Sequence, residues 1–251
     1  VVTNSTGIRL VADLHVHTLA SGHAYSTVTE IIDAAAQKGL EAIALTDHGP
    51  AMPGGPHRYH FGNLFVLPDK DKGVEVFRGV EANIVDSDGT LDLPEVYLEM
   101  LDIVWAGLHI PCLQPSTRSL NTETLLRALD HPYVDGIVHP GNPDFAIDEK
   151  AVVKAAVDKN KLLEINNSSF VIRRGSKTRC AEITRLVKEY GGMVAVNSDA
   201  HIARDVGRFD QGQQLVLQEQ LEPLHVVNTS VEKIREFLKQ RGKKRFQRKN
   251  V

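Results

Sequence analysis

The sequence predicts an α/β fold in which seven parallel strands close into a TIM-like barrel, and three observations carry that reading. Short β-branched apolar runs recur along the chain, each stops at a polar residue of metal-ligand type, and helical stretches lie between them. From His15 to His48, Glu81, His109, His139, Asn166 and Asp199 the steps are 33, 33, 28, 30, 27 and 33 residues, the length of a strand with its return helix. Alternating strands and helices imply a parallel sheet. An open doubly wound sheet would also hold ligands at its carboxyl edge, whereas closure brings all seven strand ends to one rim.

The strands follow in order as LVADLH to His15, EAIALTDH to His48, EVFRGVEA around Glu81, IVWAGLH to His109, GIVHP at His139, LLEIN to Asn166, and VAVNSDAH through Asp199 and His201. In the first, alternation sends Asp13, His15 and His17 to one face and Leu14 and Val16 to the other. The first helix, TVTEIIDAAAQKG, has Thr27 as N-cap, Glu30 three residues on and Gly39 as its stop. Further helices are NTETLLRALD, DEKAVVKAAVDKN and CAEITRLVKEYGG. The Gly- and Pro-rich stretch from Gly49 to Gly73 follows the second strand and reads as a lid or substrate wall.

At 251 residues and 42% hydrophobic content, the chain can bury the core of one domain, expected over residues 1–240. No apolar run approaches the roughly 18 residues of a membrane helix, and VVTNSTGIR lacks a secretory leader pattern. Cys112 and Cys180 form no CxxC pair, which excludes a Cys-rich zinc module and fits a reducing, cytoplasmic setting. The end of the chain carries Lys239, Arg241, Lys243, Lys244, Arg245, Arg248 and Lys249 without an acid. Residues 241–251 are therefore expected to be a disordered, solvated basic tail, with nucleic-acid attraction as the alternative.

The chemistry is announced by ADLHVHTLASGHAY, where His15, His17 and His23 cluster. Imidazole and carboxylate ligands suit zinc, and they suit manganese and iron as well. The order DLHVH, His23, TDHG, GVEANI, GLH, HPGNP, EINNSS and NSDAH resembles the PHP phosphoesterases, named for polymerase and histidinol phosphatase, over roughly residues 8–240. The likeness is strongest to their small stand-alone phosphatase branch.

That resemblance implies a distorted (β/α)7 barrel holding three divalent metal ions, usually zinc, and a homotrimer. It assigns one ion to His15, His17 and Asp199, bridged by Glu81 to a second. The second uses Glu81, His109 and His139, and the third uses His23, His48 and His201. Seven imidazoles and two carboxylates around three such ions leave about four positive charges, which calls for a hydroxide and a phosphate.

The expected reaction is metal-assisted hydrolysis of a phosphate monoester on a small molecule, with Glu81, Asp199 and His17 at its centre. Asp13 and Asn166 are expected to fix ring tautomers, and Asp47 to act as proton donor or as a structural group. Arg173, Arg174 and His57 are expected substrate contacts, with His60 beside them; His131 and His225 are expected at the surface. The runner-up function is a phosphodiesterase or nuclease. A metal-stapled binding module and an amidohydrolase follow; structural zinc sites are usually closed and Cys-rich, and no lysine ends a strand.

Overall fold

The computed structural model describes residues 8–247. The chain start read for a leader, and Arg248 and Lys249 of the basic end, lie outside the described residues. Strands β1 (Ala12–Val16), β2 (Ala42–Leu45), β3 (Lys70–Asp71), β4 (Val74–Asn83), β5 (Ile103–Gly107), β6 (Gly136–Ile137), β7 (Leu162–Asn166) and β8 (Val194–Asn197) form one sheet. Its order is β1-β2-β4-β5-β6-β7-β8, all parallel, and the short β3 pairs antiparallel with β4.

Helices α1 (Val28–Gln37), α2 (Tyr59–Asn63), α3 (Glu95–Leu98), α4 (Arg118–Asp130), α5 (Glu149–Asp158), α6 (Ser169–Ile172), α7 (Ser176–Tyr190), α8 (Asp210–Gln218), α9 (Val231–Gln240) and α10 (Lys244–Gln247) complete the chain. The capping box of α1 is formed as its sequence predicts: Thr27 accepts from Glu30 N–H, and the Glu30 carboxylate accepts from Thr27 N–H at 2.7 Å. Ile31, Ile32 and Ala35 form its buried stripe. Among the described residues, no helix is long and apolar enough to cross a membrane.

The seven strands make a nearly closed, distorted TIM-like barrel whose seam lies between β1 and β8. At the top, Val16 and Ala200 form a single bridge, with Asp199 N–H donating to His15 O at 3.0 Å and His17 N–H to Ala200 O at 2.9 Å. Lower down, the buried Asn228 takes the place of a strand. Its amide nitrogen donates to Ala12 O (2.9 Å) and Val196 O (2.6 Å), while its oxygen accepts from Val196 N–H at 3.1 Å.

Alternation in the first strand departs from expectation. The β1–β2 register shifts between Asp13 and Val16, and Leu14 packs with Ala12, Phe77 and Trp105 inside the barrel, while Val16 packs with the helix layer. An irregularity of this kind re-aims side chains. Asp13 consequently leaves the face shared by His15 and His17 and accepts instead from Ser198 N–H (3.1 Å), Ser198 hydroxyl (2.5 Å) and Gly207 N–H (2.8 Å).

The floor of the barrel is plugged by Val231, Ile234, Phe237 and Leu238 of α9. Through Gln247, the expectation of a disordered basic tail does not hold. Arg241 Nε and Lys243 Nζ reach the fully buried Asp135 at 3.3 and 2.6 Å, and Arg245 Nη1 reaches Asp102 at 2.7 Å. Both carboxylates also accept strand amides, Val104 N–H at 2.8 Å and Arg78 N–H at 2.9 Å. Such buried anions need counter-charge, and the basic end supplies it.

Candidate metal centre

The polar residues that end the strands converge at one rim. Seven of the nine expected ligands are buried; His201 is half-buried and His23 exposed. Glu81 stands in the middle. Its Oε1 is 3.0 Å from Nε2 of both His109 and His139, and its Oε2 is 3.2, 3.3 and 2.8 Å from His15 Nε2, His17 Nε2 and His48 Nδ1.

Three triples have donor atoms within 4.8 Å of one another: His15, His17 and Asp199; His48, Glu81 and His109; His17, His48 and His201. The first coincides with an expected set. In the others His48 and His17 stand where His139 and His23 were expected, although His139 Nε2 is 3.2 Å from His109 Nε2. The His23 ring lies 5.0 Å from those of His48 and His201, at the outer edge.

Hydrogen bonds fix which nitrogen of each key ring is free. His15 Nδ1–H donates to Glu164 Oε1 at 2.7 Å. The Ser21 hydroxyl donates to Asp47 Oδ1 at 2.7 Å, so its oxygen accepts from His17 Nδ1–H at 3.0 Å. His201 Nδ1–H donates to Asp199 O at 3.1 Å. In the neutral form of each ring Nε2 therefore carries the lone pair, and the Nε2 atoms of His15 and His17 face each other 3.0 Å apart. His48 Nδ1 and Glu81 Oε2 approach without hydrogen-bond alignment, and neither finds another partner. Facing acceptors of this kind fit divalent cations, and the nitrogen and oxygen donor set fits zinc, manganese or iron.

Charge balance says the same. Burial opposes ionisation of Glu81 and Asp199, yet the surrounding imidazoles, His48 and His15 foremost for Glu81 and His15 for Asp199, hold both carboxyls well below the usual range. Burial would lower His17, but the carboxylates of Asp199 and Glu81, 3.2 and 3.3 Å from its Nε2, raise it to about 9. Burial pushes His48 down to about 3, and His139 and His201 to about 4. The anionic centre raises His15 and His17, a pull on positive charge that bound cations would satisfy, while burial favours the neutral form of His48, His139 and His201, the form that ligates metal.

Two of the expected ligands sit on strained backbone. His139 has φ 33° and Asp199 φ 56°, the left-handed region that side chains other than glycine enter at roughly 1–3 kcal/mol each. His139 is held there by its N–H donating to Glu164 Oε2 at 2.8 Å. At Gly107, a Cβ would come within 2.7 Å of His109 Cε1, so glycine lets that ring fold back toward the centre.

Sequence reasoning missed Glu164 and Ser21. Glu164 also accepts from Asn197 Nδ2 and from Asn166 Nδ2, each at 3.0 Å. Its sharing of a strand face with Asn166, two residues on, was the available signal. Asn166 reaches Asp199 Oδ2 at 3.1 Å, beside the centre as expected. Asp47 is buried beneath it, accepting from Thr18 N–H and hydroxyl and from Ser21, each at 2.7 Å. Burial opposes its ionisation, but these bonds and His60, 3.3 Å away, hold its carboxyl down to about 2, so it is an acceptor rather than a proton donor.

A cleft of about 670 Å³ opens over the centre. Arg173 lines it, with Nη1 2.7 Å from Ser169 Oγ and 3.9 Å from Asp199 Oδ2. Arg174 and His57 are exposed and lie outside that lining, which corrects their expected role. His57 instead accepts from Tyr59 N–H at 3.2 Å, and it is His60 that turns inward. His131 and His225 lie away from the cleft.

Comparison with known proteins gives consistent results. The PHP domain model matches residues 13–245. A "Probable phosphatase" of Caldanaerobacter subterraneus subsp. tengcongensis is 52% identical over 239 residues, 94% of each chain, and one of Acetivibrio thermocellus is 49% identical over 96% of this chain and all of its own. Among solved structures, the histidinol phosphate phosphatase of Lactococcus lactis subsp. lactis, complexed with zinc, L-histidinol and phosphate, aligns with a TM-score of 0.61 at 20% identity. It covers 84% of this chain and 94% of its own, a likeness of fold.

Proposed function

Because this chain belongs to the PHP domain family and is a phosphoric ester hydrolase, we propose that it hydrolyses a small phosphate monoester at a centre of three divalent ions, preferentially zinc. The observation that carries this reading is the pair of rings, His15 and His17, whose Nε2 atoms are turned toward Glu81 by hydrogen bonds to Glu164 and Ser21, both outside the ligand set. His15, His17 and Asp199 would hold one ion, Glu81, His109 and His139 a second, and His23, His48 and His201 the third. The bound ions would supply charge to meet the phosphate and a water acidic enough to ionise near neutral pH.

The chain's own residues divide the remaining work. Glu81 and Asp199 bring the carboxylate charge that gathers the cations, and His17 stands between two donor triples. Arg173 offers a guanidinium to a non-bridging phosphate oxygen from the cleft wall. The nuclease alternative loses support, because Arg241, Lys243 and Arg245 are spent on Asp135 and Asp102 at the barrel floor.

The test is phosphate release by the metal-loaded protein from 4-nitrophenyl phosphate, with His17→Ala and Asp199→Ala as variants. Activity should fall to background in both while cooperative unfolding persists. Inactivity of the wild type with zinc, manganese and iron would refute the reading, and faster cleavage of single-stranded DNA would favour the nuclease.

A further inference from the structure

Once a phosphate occupies the metal centre, the rest of the substrate must lie against the cleft walls, whose chemistry is uneven. Two loops and a helix end supply apolar surface: Met52 and Pro53 after β2, Ile110 and Pro111 after β5, and Ile172 at the end of α6. Ile110 and Ile172 are 43% and 66% exposed and stand together on the cleft lining, where a bound apolar group would cover them. The first wall is fixed in place. Gly22 and Gly54 pack so closely that a Cβ on Gly22 would stand 2.3 Å from Gly54 O, and Ala51 N–H donates to Asp92 at 2.8 Å.

Charge along the same walls is equally uneven. Among the described residues, Arg173 is the only Lys or Arg lining the cleft, whereas Asp144 and Asp205 both line it. Arg208 and Arg204 approach Asp205 at 3.7 and 3.9 Å from outside the lining, and Asp144 has no ion-pair partner among the described residues. With Arg173 beside Asp199, a second anionic group would meet apolar side chains and carboxylates, with no further Lys or Arg of the lining to receive it.

We propose that the substrate is a phosphomonoester whose leaving group has an apolar body and carries no second anionic group. This rests on the phosphatase reading and narrows it. It rejects nucleoside polyphosphates, carboxylate-bearing phosphate esters and polynucleotide strands. The apolar loops supply affinity and the acidic mouth supplies discrimination.

The experiment measures kcat/KM of the metal-loaded enzyme for benzyl phosphate, 4-carboxybenzyl phosphate and glycerol phosphate. Benzyl phosphate should be preferred to each of the others by about tenfold, the scale set by one matched or mismatched pocket contact. The double variant Ile110→Ser/Ile172→Ser should shrink the benzyl-over-glycerol preference to roughly twofold, and Leu224→Ser, outside the cleft, should retain it. Equal or faster turnover of the carboxybenzyl ester, or an undiminished preference in the double variant, would overturn the proposal. Phosphate release from none of the three esters would remove the phosphatase reading, and this narrowing with it.

Discussion

Glu164 accepts the Nδ1 proton of His15 at 2.7 Å, and its other oxygen accepts the backbone amide of His139 at 2.8 Å. One buried carboxylate outside the proposed ligand set thus aims two proposed ligands from different strands. Replacing Glu164 by Gln removes one of those acceptors. Zinc affinity, read by titration calorimetry, should fall roughly 10–100-fold with the circular dichroism unchanged. An unaltered affinity would mean that the ligands orient themselves.

The metal-free protein should be most stable near pH 6.5 and lose stability on both sides. His17 is raised from 6.5 to about 9, so its contribution is complete below 6.5 and disappears as pH rises through 9. His48, His139 and His201 are depressed to about 3, 4 and 4, so theirs is complete above 6.5 and disappears as pH falls toward those values. Glu81 and Asp199 add to the acid limb. Thermal melts should show Tm lower by roughly a few degrees at pH 9 than at 6.5, and zinc should abolish that alkaline limb. A metal-free Tm that is flat from 6.5 to 9 would contradict the assignment.

Truncation before Arg241 should destabilise the chain although it removes only its end. Asp135 would lose Arg241 and Lys243, and Asp102 would lose Arg245. Stranding a buried charge costs about 3–5 kcal/mol, measurable by urea unfolding. Unchanged stability would restore the solvated tail.

Asn228→Ala tests the seam. The substitution leaves Val196 N–H, Ala12 O and Val196 O without their bridging amide, at a cost of about 2–4 kcal/mol. Loss of less than about 0.5 kcal/mol in a denaturant melt would show that another group closes the barrel.

Each barrel strand was legible because its apolar run stopped at a ligand-type residue, and the box at Thr27 and Glu30 marked α1. Local pattern could not show the rest. A period of two gave no warning of the register shift that parts Asp13 from His15. Glu164 was hidden because it precedes the apparent strand end at Asn166. The role of Arg245 depends on Asp102, 143 residues away, and a cluster of like charge reads as solvated when its partners are remote. Arg173 and Arg174 were indistinguishable until the turn beyond α6 set one toward the cleft and left the other exposed.

The central claim is that residues from separate strands hold a cluster of cations around Glu81. Anomalous diffraction from crystals of zinc-loaded protein addresses it most directly. Three peaks are expected, ligated by His15, His17 and Asp199, by Glu81, His109 and His139, and by His23, His48 and His201. A single peak, or peaks away from Glu81, would contradict the account.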